Sequence, residues 1–286
     1  MNDGLAAPSS DLRSYFDRCA GERDYWKTRN RYYHEELTRL LARLVPRNLK
    51  VLEIGCGTGD LLEALAPARG VGLDFSEKML ELARERHPNF EFVEGDAQDL
   101  PIKEAFDAVV LSDLIGSLSD VWQAFRELKK VTNRDSQVLI SYYNYLWEPL
   151  LQFGEKIGLK MPHPRQNWLP LQDIENFLEL ADFEVVKQGT HLLLPVNVPG
   201  LSWLVNRYIA PLPGVRRLCL LMYVVARPKP QPRDYSVTVV VPCRNEAGNI
   251  DSLLERLPAL GSHTEIIFVD GRSTDGTPDR IKDAIE

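Results

Sequence analysis

The sequence predicts an α/β fold: a mostly parallel sheet with helices on both faces, a helical cap before it, and the start of a second α/β unit after it. Three observations carry that reading. From Leu49 onward, short apolar runs alternate with helical stretches, the pattern of strands joined by crossover helices. One run breaks into glycine at every second position, in VLEIGCGTGD over residues 51–60. Such a break is a buried strand entering a tight loop that opens a helix. Finally, 44% of the 286 residues are apolar, which suffices for a packed core and argues against extended disorder.

The elements follow in order. Residues 1–10 read as a loose tail, and Ser10-Asp11 can cap a helix over about 11–20. A second helix is expected over about 22–44, ending before Pro46 and dense in rings: Tyr25, Trp26, Tyr32, Tyr33, then His34. Strands are expected near 49–54, 70–74, 90–93, 106–111 and 137–143, and helices near 59–66, 76–86 and 119–131. Ser76 is a natural N-cap, with Met79, Leu80 and Ala83 as the apolar stripe behind it. The rhythm breaks over residues 146–170, rich in aromatics and prolines, which suits either a substrate-facing lid or a plain surface connection. A helix over about 171–181, a strand near 183–187 and a last buried strand near 218–228 complete this part.

The glycine loop states the ligand chemistry. Gly55, Gly57 and Gly59 let a ligand approach the backbone, and the helix beyond offers unpaired N–H groups. Asp74 ends the next strand nineteen residues after Gly55, the spacing of an acid that grips ribose hydroxyls. A dinucleotide fingerprint needs G-x-G-x-x-G. Here Asp60 takes the place of the third glycine, and an acid in the first helical turn repels a pyrophosphate. Glu53, just before the loop, can receive an ammonium group. The ligand is therefore read as an adenosine with a cationic, amino-acid-like tail.

Those residues resemble the class I S-adenosylmethionine-dependent methyltransferases, whose first motif is E-x-G-x-G-x-G. Their ribose acid corresponds to Asp74, their adenine-side motif to Gly95-Asp96-Ala97 followed by Leu100-Pro101, and their fourth strand to Phe106 through Leu111 with Ser112-Asp113-Leu114 at its end. The resemblance covers roughly residues 47–228. It implies a Rossmann-like, seven-stranded, mostly parallel sheet and S-adenosyl-L-methionine as cofactor. It further implies contacts from Glu53, Gly55, Cys56, Gly57, Gly59, Asp74, Phe75, Met79, Asp96, Ala97 and Ser112. Cys56 reads as packing rather than as a nucleophile. The rings of the cap, with Tyr15, either dock the helices on the sheet or roof the cofactor's methyl end, since sulfonium groups sit well on aromatic faces.

No motif fixes a general base. Asp113, His163 and His191 are candidates, and Tyr142, Tyr143 and Tyr145 can shape the acceptor site. No metal-ligand spacing is convincing, so a metal-independent reaction is expected. Residues 198–221, with Trp203, Arg207, Tyr208, Arg216 and Arg217, either pack into the core or lie against a membrane surface.

Residues 229–235 read as a proline-stiffened linker. Beyond it, VVVP with Asn245-Glu246 and Asn249-Ile250, then Val269-Asp270 and Ser273 through Thr277, resemble the opening of family 2 glycosyltransferases of the GT-A fold. The resemblance implies a partial sugar-nucleotide site at Pro242, Glu246 and Asp270, with Gly271 where a second acid is usual. The family's later metal-binding and catalytic motifs do not occur before Glu286. The expectation is a chain cut inside its second domain, inactive in glycosyl transfer without the remainder of that domain, with an exposed strand over 237–241.

Net charge is −7, which argues against broad nucleic-acid binding, and Ser112 through Ile115 lacks the N-P-P signature of amino-methylating DNA enzymes. Neither a signal segment nor a membrane span is legible, and none of the four cysteines forms a C-x-x-C pair, so a cytoplasmic protein, with peripheral membrane contact left open, is expected. The functional expectation is methylation of a sugar, glycolipid or lipid-linked acceptor beside a glycosyltransferase. A quinone-like or fatty acceptor is the alternative, and a cofactor-binding scaffold the rival from another class.

Overall fold

The computed structural model describes residues 9–164, 166–230 and 235–285. Residues 1–8 of the expected tail, the side chains of Ser9, Ser10 and Asp11, and residues 231–234 of the linker lie outside the described residues; Ser9 and Ser10 of that tail already belong to a helix. The chain divides into two compact units, Met1–Lys229 and Pro230–Glu286.

In the first unit, α1 (Ser9–Cys19), α2 (Arg23–Arg29) and α3 (Arg31–Leu44) precede the sheet. The expected long helix over 22–44 is two helices. Asn30 leaves helical geometry at φ −107, and its amide donates to the Trp26 carbonyl, 3.2 Å away. A side chain that bonds its own backbone competes with the helical ladder and ends it.

The sheet then alternates with helices: β1 (Lys50–Ile54), α4 (Asp60–Ala64), β2 (Arg69–Asp74), α5 (Glu77–Arg86), β3 (Glu91–Glu94), β4 (Ala108–Ser112), α6 (Val121–Glu127), β5 (Gln137–Tyr143), α7 (Glu148–Lys156), α8 (Leu171–Leu180), β6 (Phe183–His191), α9 (Leu201–Leu204) and β7 (Leu221–Pro228). The seven strands run in the order β3-β2-β1-β4-β5-β7-β6. Only β7 is antiparallel to its neighbours. This is the Rossmann-like, seven-stranded sheet expected. Its strand order reverses between β1 and β4, where open α/β sheets form a crevice at the carboxyl ends of their strands.

Strands buried on both faces feed two cores, since successive side chains point to opposite sides. On one face Leu52, Ile54, Val109, Leu111 and Ile140 pack with Phe125 of α6 and Leu178 of α8. On the other, Val51, Ala108, Val110 and Leu139 pack with Leu41 of α3, Leu62 of α4 and Leu80 of α5. β6 runs on to His191, four residues past the expected end, through Lys187, Gln188 and Thr190. Those polar residues hide the strand in the sequence; pairing to β7, with a bulge between Val185 and Lys187, holds it in place. β7 starts at Leu221 rather than near 218, because Val215–Leu218 forms a 3₁₀ turn.

The second unit pairs two parallel strands, β8 (Ser236–Cys243) and β9 (His263–Asp270), with α10 (Ile250–Arg256) and α11 (Thr277–Ile285). Among the described residues no helix is long and apolar enough to cross a membrane.

Candidate cofactor and acceptor site

The glycine loop is tied down by β2. Both Gly55 and Cys56 donate backbone N–H groups to the Leu73 carbonyl, at 2.7 and 3.0 Å. Gly55 sits at φ +76, and a Cβ there would lie 2.9 Å from the Leu114 side chain. Left-handed backbone pressed against a neighbour leaves glycine the only comfortable residue. The Gly57 N–H donates to one oxygen of Asp74 at 2.8 Å, and the Ser76 N–H to the other at 3.0 Å. Asp74 thus braces the loop from the end of β2, and its burial raises its pKa. Ser76 also caps α5, accepting from the Met79 N–H at 3.3 Å.

Glu53 is 3% exposed, at the floor of the loop. Burial pushes its carboxyl up to about 8 against the attraction of Lys27, and its Oε2 has no hydrogen-bond partner. A sealed carboxyl with an unfilled oxygen is a ready receiver for an ammonium. Asp60, which stands where a dinucleotide fold has glycine, is held by Lys27 and by His87 at 3.1 Å. Burial opposes those contacts, but they outweigh it and keep Asp60 at about 2. It is an ionised carboxylate at the start of α4, paired with the Lys27 ammonium.

The expected contacts divide between neighbouring cavities. A narrow cleft is lined by Gly55, Asp74, Phe75, Gly95, Asp96 and Ala97, with Leu12 of α1 closing it. Gln98 also lines it; its Oε1 accepts from Ser119 Oγ at 2.6 Å and the Asp120 N–H at 2.7 Å. Gln98 joins no recognisable motif, and the sequence reading missed it. Glu53 and Cys56 face a groove of about 680 Å³ beneath α2 and α3. Gly57, Asp74, Phe75, Met79 and Ser112 border a third cavity of about 550 Å³. Gly59 borders none of the three. At φ +77 it starts α4, and a Cβ would meet Phe92 at 2.9 Å, so its smallness serves packing.

The third cavity is roofed by the cap and the lid. Phe16 packs edge-on against Phe75 at 5.5 Å and against His163 at 5.7 Å. Trp26, Tyr33 and His34 line it as well, whereas Tyr25 is exposed and Tyr32 accepts from Asn206 at 3.0 Å. Tyr15 instead latches the cap to the lid through the Pro162 carbonyl. The walls beyond are apolar, with Tyr143, Trp147, Leu151, Met161, Leu194 and Leu220 among them. Of the tyrosines proposed for the acceptor site, Tyr143 faces the cavity, Tyr142 is buried in the core and Tyr145 is exposed.

Asp113 borders both this cavity and the groove beneath α2 and α3, at φ +53 just past β4. Tyr33 donates to its Oδ2 at 2.6 Å, while Oδ1 is enclosed without a partner. Burial lifts its carboxyl to about 6, against the pull of Tyr33, Arg23 and Lys160. His163 lines the same cavity, but burial, Lys160 and Arg23 press it down to about 3, so it is neutral at physiological pH. His191 lies outside the three cavities, its Nε2 3.2 Å from Glu36 Oε2.

Arg23 was not anticipated. It borders both large cavities, and its Nε has no partner. Its charge is felt at Asp113, Tyr143, His163 and Asp74. Only the fold, by bringing α2 over the ends of β1 and β4, reveals it.

In the second unit, Pro242, Glu246 and Asp270 stand at or just past the carboxyl ends of β8 and β9. Asn249 donates to Glu246, and Ser273 Oγ to Asp270 at 2.5 Å. Asp275 accepts from the Ala247 and Thr277 N–H groups at 3.3 and 3.0 Å, lacing the two loops together.

This fold and loop define a nucleoside-binding α/β domain with an apolar second pocket. Residues 51–135 match the family model described as methyltransferase domain, and residues 238–286 match glycosyl transferase family 2. The first unit therefore carries a methyltransferase domain, and the second a segment that matches glycosyl transferase family 2. The chain is 31% identical over 112 residues to the ubiquinone/menaquinone biosynthesis C-methyltransferase UbiE of Campylobacter jejuni, covering 36% of this chain and 48% of that protein. It is 35% identical over 113 residues to the demethylmenaquinone methyltransferase of Thermotoga maritima, covering 38% and 48%. The chain spans about half the length of the curated relatives it matches. Among solved structures, an SAM-dependent methyltransferase of Thermotoga maritima aligns with TM-score 0.60 at 17% identity, over 76% of this chain and all of that one. The magnesium protoporphyrin IX methyltransferase of Synechocystis, solved with bound SAH, aligns with TM-score 0.54 at 19% identity, over 78% of this chain and all of that one. These two likenesses concern the fold.

Proposed function

We propose that the first unit is an S-adenosylmethionine-dependent methyltransferase acting on an extended apolar acceptor of the quinone-like or lipid class. One observation carries the reading: the sealed Glu53 carboxyl, with an unfilled oxygen, lies under a glycine loop braced by Asp74, beside an apolar cavity of about 550 Å³. The chemistry of these donors fits the cofactor. Glu53 would take the ammonium, Asp74 the ribose hydroxyls, and Asp96 with Ala97 the adenine side. When bound, S-adenosylmethionine supplies an electrophilic methyl carbon; the chain supplies position and a water-poor pocket. Asp113, ionised at neutral pH, would take a proton from an acceptor hydroxyl. His163, neutral there, serves as a wall.

An apolar wall favours a quinone-like or fatty acceptor over a free sugar, and the names of the curated relatives lean the same way. A lipid-linked sugar is the second reading, because a glycosyl transferase family 2 segment lies on the same chain. On that reading the two units act in one bifunctional protein. Calorimetric titration with S-adenosylmethionine, repeated on Asp74→Ala, tests the cofactor. Micromolar binding lost in the variant is expected. Absence of binding by a folded chain would overturn the reading. Methyl transfer to a demethylated quinol, set against a lipid-linked sugar, then separates the acceptors.

A further inference from the structure

Residues 191–220 hold Arg207, Arg216 and Arg217 and no acidic residue, in a chain of net charge −7. The three arginines are exposed, and among the described residues none forms an ion pair. Between them the surface is apolar. Trp203 is 62% exposed and Tyr208 58%, their rings 5.5 Å apart, with Leu201, Leu204 and Leu218 also exposed. This segment is not a loose loop. The Asn206 side chain accepts from Leu193 and Leu194 N–H groups, both at 2.9 Å, and donates to the Leu194 carbonyl and to Tyr32. Ser202 is buried, donates to the Val196 carbonyl at 2.5 Å and accepts from the Val198 N–H at 2.8 Å. Trp147 Nε1 donates to the Leu218 carbonyl at 2.7 Å, tying the lid to the same segment. The apolar side chains are held outward by a satisfied polar scaffold.

The same segment reaches the acceptor cavity, which Leu194, Pro195, Val196 and Leu220 help to line. Leu150, Phe153 and Ile157 of the lid and Val196 all line that cavity, yet each is more than half exposed. They form its rim. We propose that this rim, with the Trp203–Tyr208 pair and the three arginines, docks on an anionic lipid bilayer, so that the cavity opens onto the membrane. Indole and phenol rings beside arginines, over an aliphatic surface, match the interfacial region of a bilayer. A second copy of the chain is the poorer occupant, since a two-fold contact would set unpaired arginines against one another. The docking itself is independent of the methyl-transfer reading; delivery of the acceptor through the rim rests on it.

The test is flotation of the 286-residue chain with phosphatidylcholine vesicles, with and without phosphatidylglycerol. Partition onto the anionic vesicles is expected, falling at high salt. Arg207→Glu, Arg216→Glu and Arg217→Glu together are expected to weaken it by on the order of 100-fold or more, at about fivefold per arginine removed. Trp203→Ser with Tyr208→Ser is expected to abolish it. Should one variant fail to fold by circular dichroism, the other carries the test. Four results overturn the proposal: no partition; partition equal on neutral vesicles; partition unchanged in both variants; or a dimer in light scattering that the same substitutions break. Titration with S-adenosylmethionine in the same samples reports on the methyltransferase reading separately.

Discussion

Glu53 joins stability to binding. Its free-state pKa of about 8 means the carboxyl is largely protonated at neutral pH, and a bound ammonium would favour the carboxylate. Cofactor binding is therefore expected to release a proton, approaching one per site at pH 7. Calorimetry in buffers of different ionisation enthalpy reads this directly, and release is expected to vanish well above about pH 8. The same shift sets the stability profile. A carboxyl raised from 4.5 favours the folded state fully below 4.5, and that contribution is lost as pH rises through about 8. Glu53→Gln should thus unfold at a higher temperature than the parent above that pH, while binding S-adenosylmethionine at least about tenfold more weakly. At Asp113, raised to about 6, the sign for activity is the reverse: a base must be ionised, so kcat should climb through pH 6 and level off above it. Asp113→Asn keeps an acceptor for Tyr33 but not the base, and should lower kcat by about 10² to 10⁴ with cofactor affinity little changed. A flat pH profile would remove Asp113 from that role. The glycine loop between β1 and α4, and the place of Asp74 at the end of β2, were legible in the sequence, because a strand-to-helix turn makes its demands within a few residues. Arg23 and Gln98 were not, since the cavities that Arg23 borders and the Ser119 and Asp120 partners of Gln98 are brought near only by the fold.

At the scale of elements, the cap is anchored by α3, whose Leu37 and Leu41 pack into the core, and tied down further by polar contacts from α1 and α2. Ser76 donates to Asp17 at 2.5 Å, Arg13 pairs with Glu94 at 2.8 Å, and Arg86 clasps Asp24 at 2.8 and 2.5 Å. The Arg13 and Arg86 pairs are solvent-exposed and each adds little. Phe16 of the cap lines the third cavity, wedged between Phe75 of the strand end and His163 of the lid. Phe16→Ala should weaken cofactor binding by about tenfold, a loss of about 1.4 kcal/mol, and should leave the melting temperature almost unmoved. An unchanged affinity would make the cap packing alone. The helix boundary at Asn30 and the polar half of β6 escaped the sequence for one reason. Intrinsic preference there is weak, and a side-chain bond in one case, strand pairing in the other, decides the outcome. The buried strands read clearly because burial on both faces demands continuous apolar runs.

At the scale of the molecule, the two units differ in how completely they cover themselves. The first has a seven-stranded sheet with helices packed on both faces. Among its described residues the second has two strands, so β8 and β9 each keep one edge unpaired among them. Val240, Ile267, Val269 and Ile285 are exposed, at 58, 43, 51 and 76%. A two-stranded sheet with open edges and exposed β-branched residues is a template for further pairing. The chain is therefore expected to self-associate with rising concentration through its second unit, with cofactor binding by the first unaffected. Val240→Lys with Ile267→Lys places charge on that sheet and should shift light scattering toward the monomer. Calorimetric affinity for S-adenosylmethionine should match the parent's, because both substitutions lie in the unit Pro230–Glu286 and the glycine loop in the other. If instead both properties change together, the units are coupled and the second contributes to the first one's site. If neither changes, the exposed strands are not what associates.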